Sequence, residues 1–203
     1  THTSRIRMMS ASCRWWWPRL LTRRWHSFLG MQKRVARGLR HVVTVSECSR
    51  GDIARDFGLS GERLTVVHNG VDTGVFAPDA DVPRKPLQLM ATASADQPLK
   101  GLAVLLNAFA VLLPAHPGLR LLVVGKPRPG GDTGKLVARL GLGAHLDFVS
   151  GISTEELVRH YREATLVVVP SLYEGFGLPA SEAMACGAPV VSSDGGALPE
   201  VVG

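Results

Sequence analysis

Acidic residues are missing from the first 46 positions, which hold ten Arg or Lys. The other 157 positions carry 13 basic and 17 acidic residues, so the net charge of +6 sits wholly in the first segment. Cysteine is scarce. Cys13, Cys48 and Cys186 are odd in number and form no paired motif, which argues against a disulfide framework and fits a reducing, cytoplasmic setting. The seven His are scattered without metal-ligand spacing, so no structural metal is expected. No apolar run reaches the ~18 residues of a transmembrane helix, and no signal-peptide pattern appears. Internal repeats and low-complexity tracts are lacking too. The chain starts at Thr1 rather than Met and stops at Gly203, just after a helix would have begun, so both ends read as cut. With 45% hydrophobic and 20% charged residues, what is there is globular and long enough for one large or two small domains.

The readable part alternates strand and helix. A helix is expected over Arg19–Arg40, with Leu21, Trp25, Phe28, Leu29, Gln32 and Val35 on one broad face. His41–Val45 reads as a strand. A short helix opens near Ser49 with a weak capping-box pattern and ends near Gly58. Leu64–Val67 is a second strand, and Asn69-Gly70 a turn. The Pro-rich stretch Ala77–Pro86 suits a domain junction. Beyond it come strands at Leu87–Thr92, Leu119–Val124 and Leu146–Val149. Helices are expected over Gly101–Leu113 and Lys135–Leu140, and from the capping box Ser153-Thr-Glu-Glu156 to Ala164. This alternation implies parallel βαβ units with right-handed crossovers.

The most informative stretch runs from Ser171 to Glu182. Before it stands Thr165–Val169, a β-branched run stopped by Pro170, typical of a strand buried on both faces. After it comes a helix with Pro179 in its first turn and Gly187 and Pro189 past its end. Strand, glycine loop and helix start make the place where open α/β sheets bind ligands. Gly175 and Gly177 let the backbone approach a ligand, and a helix N-terminus favours phosphate. Glu174 and Glu182 would repel phosphate, so they suit hydroxyl donors instead. A ligand with both phosphates and diols is a nucleotide sugar. Taken alone, the same two residues fit a solvated loop and an ordinary helix equally well.

Glu174-Gly-Phe-Gly-Leu178, Glu182-Ala-Met-Ala-Cys-Gly-Ala-Pro-Val-Val191 and Gly195-Gly-Ala-Leu-Pro-Glu-Val-Val202 together resemble the retaining glycosyltransferases with the GT-B fold, of the group 1 or family 4 type. The family's Glu-x7-Glu motif is matched by Glu174 and Glu182. The resemblance extends upstream through Lys100-Gly101 and His68-Asn-Gly-Val-Asp72 to about Val35, over three quarters of the chain. It implies an α/β architecture with a Rossmann-like, donor-binding domain over 87–203, incomplete at its end. A junction over 71–86 and the tail of a second Rossmann-like domain over 1–70 would precede it.

The resemblance also implies roles. Lys100 would hold the donor's phosphates. Glu182 would accept from the ribose diol and Glu174 from the transferred sugar, with Gly175, Phe176, Gly177 and Leu178 beside sugar and phosphates. Gly125 would pass close to the ligand, and main chain over 149–151 would hold the base. His2, in the context His-Thr-Ser, is a candidate counterpart for the family's active-site histidine. Many members have an arginine shortly before the lysine. The segment Thr92–Leu99 has none, so Ser94, Lys126 and Arg128 become candidates to complete the phosphate clamp. The reaction implied is hexose transfer from a nucleoside-diphosphate sugar to a hydroxyl of a glycan, lipid or small molecule, with retained configuration, no metal and no cofactor.

Two rivals stand beside this. A nucleotide-sugar epimerase shares the fold and needs no acceptor. The basic start with Trp15, Trp16 and Trp17 suits a nucleic-acid module in composition, but no nucleic-acid motif accompanies it. The same segment also suits an anionic membrane surface, which would place the protein at the inner face of a membrane.

Overall fold

The structure, a computed structural model, describes residues 28–93 and 96–203. The expectations placed on residues 1–27, including His2 and the tryptophans, and on Ser94 lie outside the described residues. The chain divides into two compact units, Thr1–His68 and Asn69–Gly203.

The described part of the first unit is small. Residues 28–38 are helical. Strands β1 (Val42–Thr44) and β2 (Leu64–Val66) pair in parallel, joined through helix α1 (Glu47–Phe57). The capping residue of α1 is Ser46, whose hydroxyl accepts from the Ser49 amide, so the helix starts earlier than its weak capping box suggested. Gly58 closes it in a left-handed conformation. The expected apolar face of the 28–38 helix is not buried: Phe28 and Val35 are each 56% exposed. A two-stranded sheet has too little apolar surface to cover such a face.

The second unit is a doubly wound sheet of five parallel strands in the order β5-β4-β3-β6-β7. The strands are β3 (Gln88–Thr92), β4 (Arg120–Val124), β5 (Leu146–Val149), β6 (Leu166–Val169) and β7 (Val190–Ser192). Alternation along each strand assigns its two faces. Leu89, Ala91, Leu121 and Val123 pack with Leu102, Leu105, Leu106 and Phe109 of α2 (Leu102–Leu112) and Leu136 of α3 (Asp132–Arg139). Met90, Val167 and Val169 pack on the other face with Val158 and Tyr161 of α4 (Thr154–Glu163), Ala180 and Ala183 of α5 (Leu178–Ala185) and Leu198 of α6 (Leu198–Val202). Phe109, Leu106, Met90 and Tyr161 are fully buried, so both layers are closely filled.

Local signals explain most boundaries. The capping box at the start of α4 is complete: Ser153 accepts from the Glu156 amide, and Glu156 accepts from the Ser153 amide. The segment read as a junction groups with the second unit. Lys85 pairs with Glu163 at 2.7 Å, Arg162 donates to the Ala77 carbonyl at 2.8 Å, and Arg84 donates to that of Ala164 at 2.7 Å.

Candidate functional site

A parallel sheet presents the carboxyl ends of its strands, and the loops after them, to one edge. Chain direction across this sheet reverses beside β3. From β3 the chain steps out through β4 to β5, then crosses back to β6 on the other side. The loops after β3 and β6 therefore lead to helices on opposite faces of the sheet, the point at which open α/β sheets bind ligands. Lys100 lies on the first loop and Glu174 on the second.

The two side chains meet there. Lys100 Nζ lies 2.7 Å from Glu174 Oε1, and the Ser171 hydroxyl donates to the same oxygen at 2.7 Å. Glu174 is 13% exposed and Lys100 30%, so the pair is partly withdrawn from water and firmer than a surface ion pair. Its backbone supports explain the fit. Gly101 takes φ +65°, and a Cβ there would run into the Pro170 carbonyl oxygen. Only glycine lets the β3 loop lie this close to the end of β6. The Leu172 amide then donates to the Leu99 carbonyl at 2.8 Å, which sews the two loops together.

Glu174 is fixed from its other side as well. It forms an isolated parallel bridge with Gly196. Its amide donates to the Gly195 carbonyl at 3.3 Å, and its carbonyl accepts from the Ala197 amide at 3.0 Å. A Cβ on Gly195 would strike the Ser171 carbonyl, and one on Gly196 the Glu174 carbonyl. Ser193 adds a hydrogen bond to the Ser171 carbonyl. The sequence reading used Gly195-Gly196 only as part of a resemblance and did not see this backing role. Adjacent glycines shortly after a short strand were the available signal.

Glu182 sits in different surroundings. It lies on α5, which starts after Gly177 with Pro179 in its first turn. Its Oε2 accepts from the Tyr161 hydroxyl at 3.0 Å. Burial pushes the Glu182 carboxyl above its ordinary range, and the Tyr161 hydrogen bond pulls it back in part. No ion pair to Glu182 occurs among the described residues. Neither α2 nor α5 has a side-chain cap at its N-terminus, and the helices begin at Leu102 and Leu178, beside Lys100 and the Gly175–Gly177 loop. The amides of Leu102 and Ala103 in α2 and of Leu178 in α5 are left for a ligand or water, since Pro179 has no N–H and the Ala180 and Ser181 amides donate to the Gly177 carbonyl.

The other site candidates sit as follows. Gly125 ends β4 and donates to the Val149 carbonyl at 2.7 Å, so the loops after β4 and β5 run together. Lys126 and Arg128 lie on the loop that follows, both exposed. Sequence reasoning missed what holds this loop. Asp96, on the β3 loop, accepts from the Arg128 amide at 2.8 Å and the Thr133 amide at 2.9 Å. These amides, Thr133 first, hold the Asp96 carboxyl below its ordinary range. Asp96 thus serves α3 as a cap borrowed from another loop, and α3 begins at Asp132 rather than Lys135. Phe176 is half-buried and Leu178 is 39% exposed.

Comparisons with known proteins bear on the family and the fold. The family model described as glycosyl transferases group 1 matches residues 80–203, and that of glycosyltransferase family 4 matches residues 2–75. An MMP alpha-(1->4)-mannosyltransferase from Mycolicibacterium hassiacum is 47% identical over 98% of this chain and 48% of its own. A D-inositol 3-phosphate glycosyltransferase from Mycolicibacterium smegmatis is 42% identical over 69% of this chain and 34% of its own. The chain thus spans about half the length, or less, of these curated relatives. Among solved structures, a sucrose-phosphate synthase from Thermosynechococcus elongatus superposes with a TM-score of 0.73 and 30% identity, covering 85% of this chain and 45% of that one. An Anabaena protein solved with UDP and glucose, at 23% identity and TM-score 0.70 over 85% of this chain and 51% of that one, shares the fold.

Proposed function

The chain belongs to the group 1 glycosyltransferases, with the Rossmann-like architecture of the GT-B fold, and from that premise we propose that its second unit binds a nucleoside-diphosphate sugar whose hexose is transferred, with retained configuration, to an acceptor hydroxyl. The observation that carries the reading is the meeting of Lys100 and Glu174 at the strand-order reversal, 2.7 Å apart, with two uncapped helix N-termini beside them.

Each part has a task. Lys100 and the amides of Leu102, Ala103 and Leu178 face the diphosphate. They act most on the leaving group, where negative charge grows as the bond to the sugar breaks. Glu182 accepts from the ribose diol. Glu174, drawn to one side by Lys100 and Ser171, accepts from the hydroxyls of the sugar. Gly125 and the end of β5 lie where main chain can hold the base. The glycosidic carbon exchanges its bond to the diphosphate oxygen for one to the acceptor oxygen, and the departing phosphate takes the acceptor's proton. Neither a metal nor a cofactor is assigned a part. Retention is proposed from the resemblance of the Glu174 to Glu182 motif to that of the retaining members of the family. The 47% identical relative is named a mannosyltransferase, which makes mannose the first sugar to test.

The test is a thermal-shift screen of the full-length protein against nucleoside-diphosphate mannose, glucose and N-acetylglucosamine, followed by turnover with and without acceptor. Stabilisation by one donor and acceptor-dependent release of the nucleotide support the reading. A rearranged free sugar without acceptor would show an epimerase. A protein that no nucleotide sugar stabilises would sink the proposal.

A further inference from the structure

We propose that Tyr161, on the helix behind the site, is a positioning residue for nucleotide recognition: its hydroxyl holds the Glu182 carboxylate in the place and charge state that the ribose diol requires. The proposal rests on the reading that Glu182 faces the ribose. Tyr161 touches no substrate itself. It lies on α4, in the second core layer.

Tyr161 is completely buried, and its ring packs tilted against Phe76 at 6.4 Å between centroids. A tyrosine can fill such a space as phenylalanine does, so the hydroxyl calls for a reason of its own. A buried hydroxyl without a partner is costly, and the partner is Glu182 Oε2 at 3.0 Å. Burial, with the Glu182 carboxylate second, pushes the phenol far above its ordinary range. Tyr161 therefore remains a donor at every working pH.

Glu182 depends on that donor. The groups facing it are Tyr161 from α4 and Cys186 from its own helix, with Arg162 acting on Cys186 and the Thr92 hydroxyl of β3 facing Tyr161. The Cys186 thiol is held neutral by burial. No cation pairs with Glu182 among the described residues, in contrast to Glu174 with Lys100. An ionised carboxylate that is half-buried without a cation is unstable towards protonation, and a protonated carboxyl turns one acceptor into a donor. A diol needs acceptors. The Tyr161 bond favours the ionised form and fixes the side chain on α5, and because it uses Oε2 alone it leaves the carboxylate acceptor capacity for the ribose.

The experiment measures binding of UDP and GDP, each beside its 2′-deoxy counterpart, to the full-length protein in a pH series that starts near the ordinary carboxyl value of 4.5 and runs upward through neutral pH, because burial shifts Glu182 in that direction. Wild type, Tyr161→Phe, Glu182→Gln and the double variant are compared. The wild type should favour the ribonucleotide by roughly tenfold, the size of lost hydrogen bonds to a charged group. Tyr161→Phe should reduce that preference to about threefold or less near neutral pH and recover it as the pH rises. Glu182→Gln should remove the preference at every pH, and the double variant should match it, since the two groups act in series. A ring-fluorinated tyrosine at Tyr161 keeps the shape and strengthens the donor, so it should extend the ribonucleotide preference to lower pH. This readout stands even where the phenylalanine variant folds poorly. Wild-type preference and pH profile in both Tyr161 variants, with a loss in Glu182→Gln, overturn the role of Tyr161 and leave the ribose reading intact. Unchanged preference in Glu182→Gln overturns both.

Discussion

Glu174 and Glu182 are seven residues apart in one strand–loop–helix unit, yet they are held in opposite ways. Glu174 stands on a loop, fixed by backbone bonds on both sides and matched by the Lys100 cation. Glu182 stands on a helix, half-buried, and is matched by a neutral hydroxyl. A paired carboxylate keeps its charge at little cost, whereas one offered only a neutral donor keeps its charge under strain. The first arrangement suits a group that must stay negative beside a diphosphate and answer to changes at the sugar. The second suits a group whose discomfort is relieved when a diol arrives. Under the proposed function, the same residue type would read two parts of one ligand because the sheet edge gives one a cation and the core gives the other a phenol.

The comparison breaks most completely at Gly101. A Cβ there would meet the Pro170 carbonyl, and φ +65° is strained for any other residue. Gly101→Ala should separate the loops after β3 and β6 and leave Glu174 without Lys100, while Glu182 and Tyr161 keep their bond. We expect a loss of about 4 kcal/mol or more in stability, in the range that marks a backbone clash, measured by chemical denaturation. Donor binding should fall with it. A variant as stable as wild type would mean that the two loops do not need this close approach.

Next in size is Glu174→Ala, which should lower kcat roughly a hundredfold, as removal of a preorganised charge contact does. The donor KM should change little, because contacts to the sugar strengthen as the bond breaks. Steady-state kinetics of the full-length protein separate the two constants. A raised KM with kcat unchanged would place Glu174 in ground-state binding and make it resemble Glu182.

A smaller effect is expected from the loop after β4. In the proposed reaction the departing diphosphate carries up to three negative charges, Lys100 supplies one positive charge, and the arginine that the family resemblance implies has no counterpart between Thr92 and Leu99. Lys126 and Arg128 lie on the neighbouring loop at the same sheet edge, stiffened by Pro127 and Pro129 and tied by Asp96 to the loop of Lys100. At least one of Lys126→Ala and Arg128→Ala should weaken donor binding or slow turnover tenfold, about 1.4 kcal/mol, with a larger loss for Lys100→Ala. If both leave donor KM and kcat as they were, the site works with a single side-chain cation from these loops.

How much of this was legible in the chain depends on whether the cause was local. The β6 run Thr165–Val169 and the capping box Ser153–Glu156 are complete within a few residues, and both appear where expected. The start of α3 was misplaced because its cap, Asp96, lies 37 residues away on another loop. The exposed Phe28–Val35 face was misjudged because periodicity reports an apolar stripe but not what covers it. Lys100 and Glu174 were legible as a pair only through a family motif; nothing nearer than the strand order shows that residues 74 positions apart meet. Tyr161 was invisible as more than a helix residue. Its partner is 21 positions away, on a different helix.

The finest difference between the two glutamates is in their effect on stability, and it has a sign. Burial raises the folded-state pKa of Glu182 above its ordinary value of 4.5. Below that pH the carboxyl is protonated in both folded and unfolded chains and contributes nothing to the difference. As pH rises past it, the unfolded chain releases the proton while the folded chain still holds it. The folded state then binds more protons, so stability falls with rising pH until the folded carboxyl ionises as well. The penalty is complete once the folded carboxyl has ionised too. Glu182→Gln removes the charge and keeps an oxygen that can accept from Tyr161, so it should raise Tm at pH 7, and the gain should shrink as the pH is lowered through 4.5. Glu174→Gln should do the opposite at neutral pH. It leaves Lys100, 30% exposed, without its partner, and the loss should stay below about 1 kcal/mol because the lysine still reaches water. Thermal melts of both variants at pH 4 and pH 7 check the pair. Shifts of the same sign at pH 7 would show that the two carboxylates are held alike, and the distinction between a paired and a strained glutamate would fall.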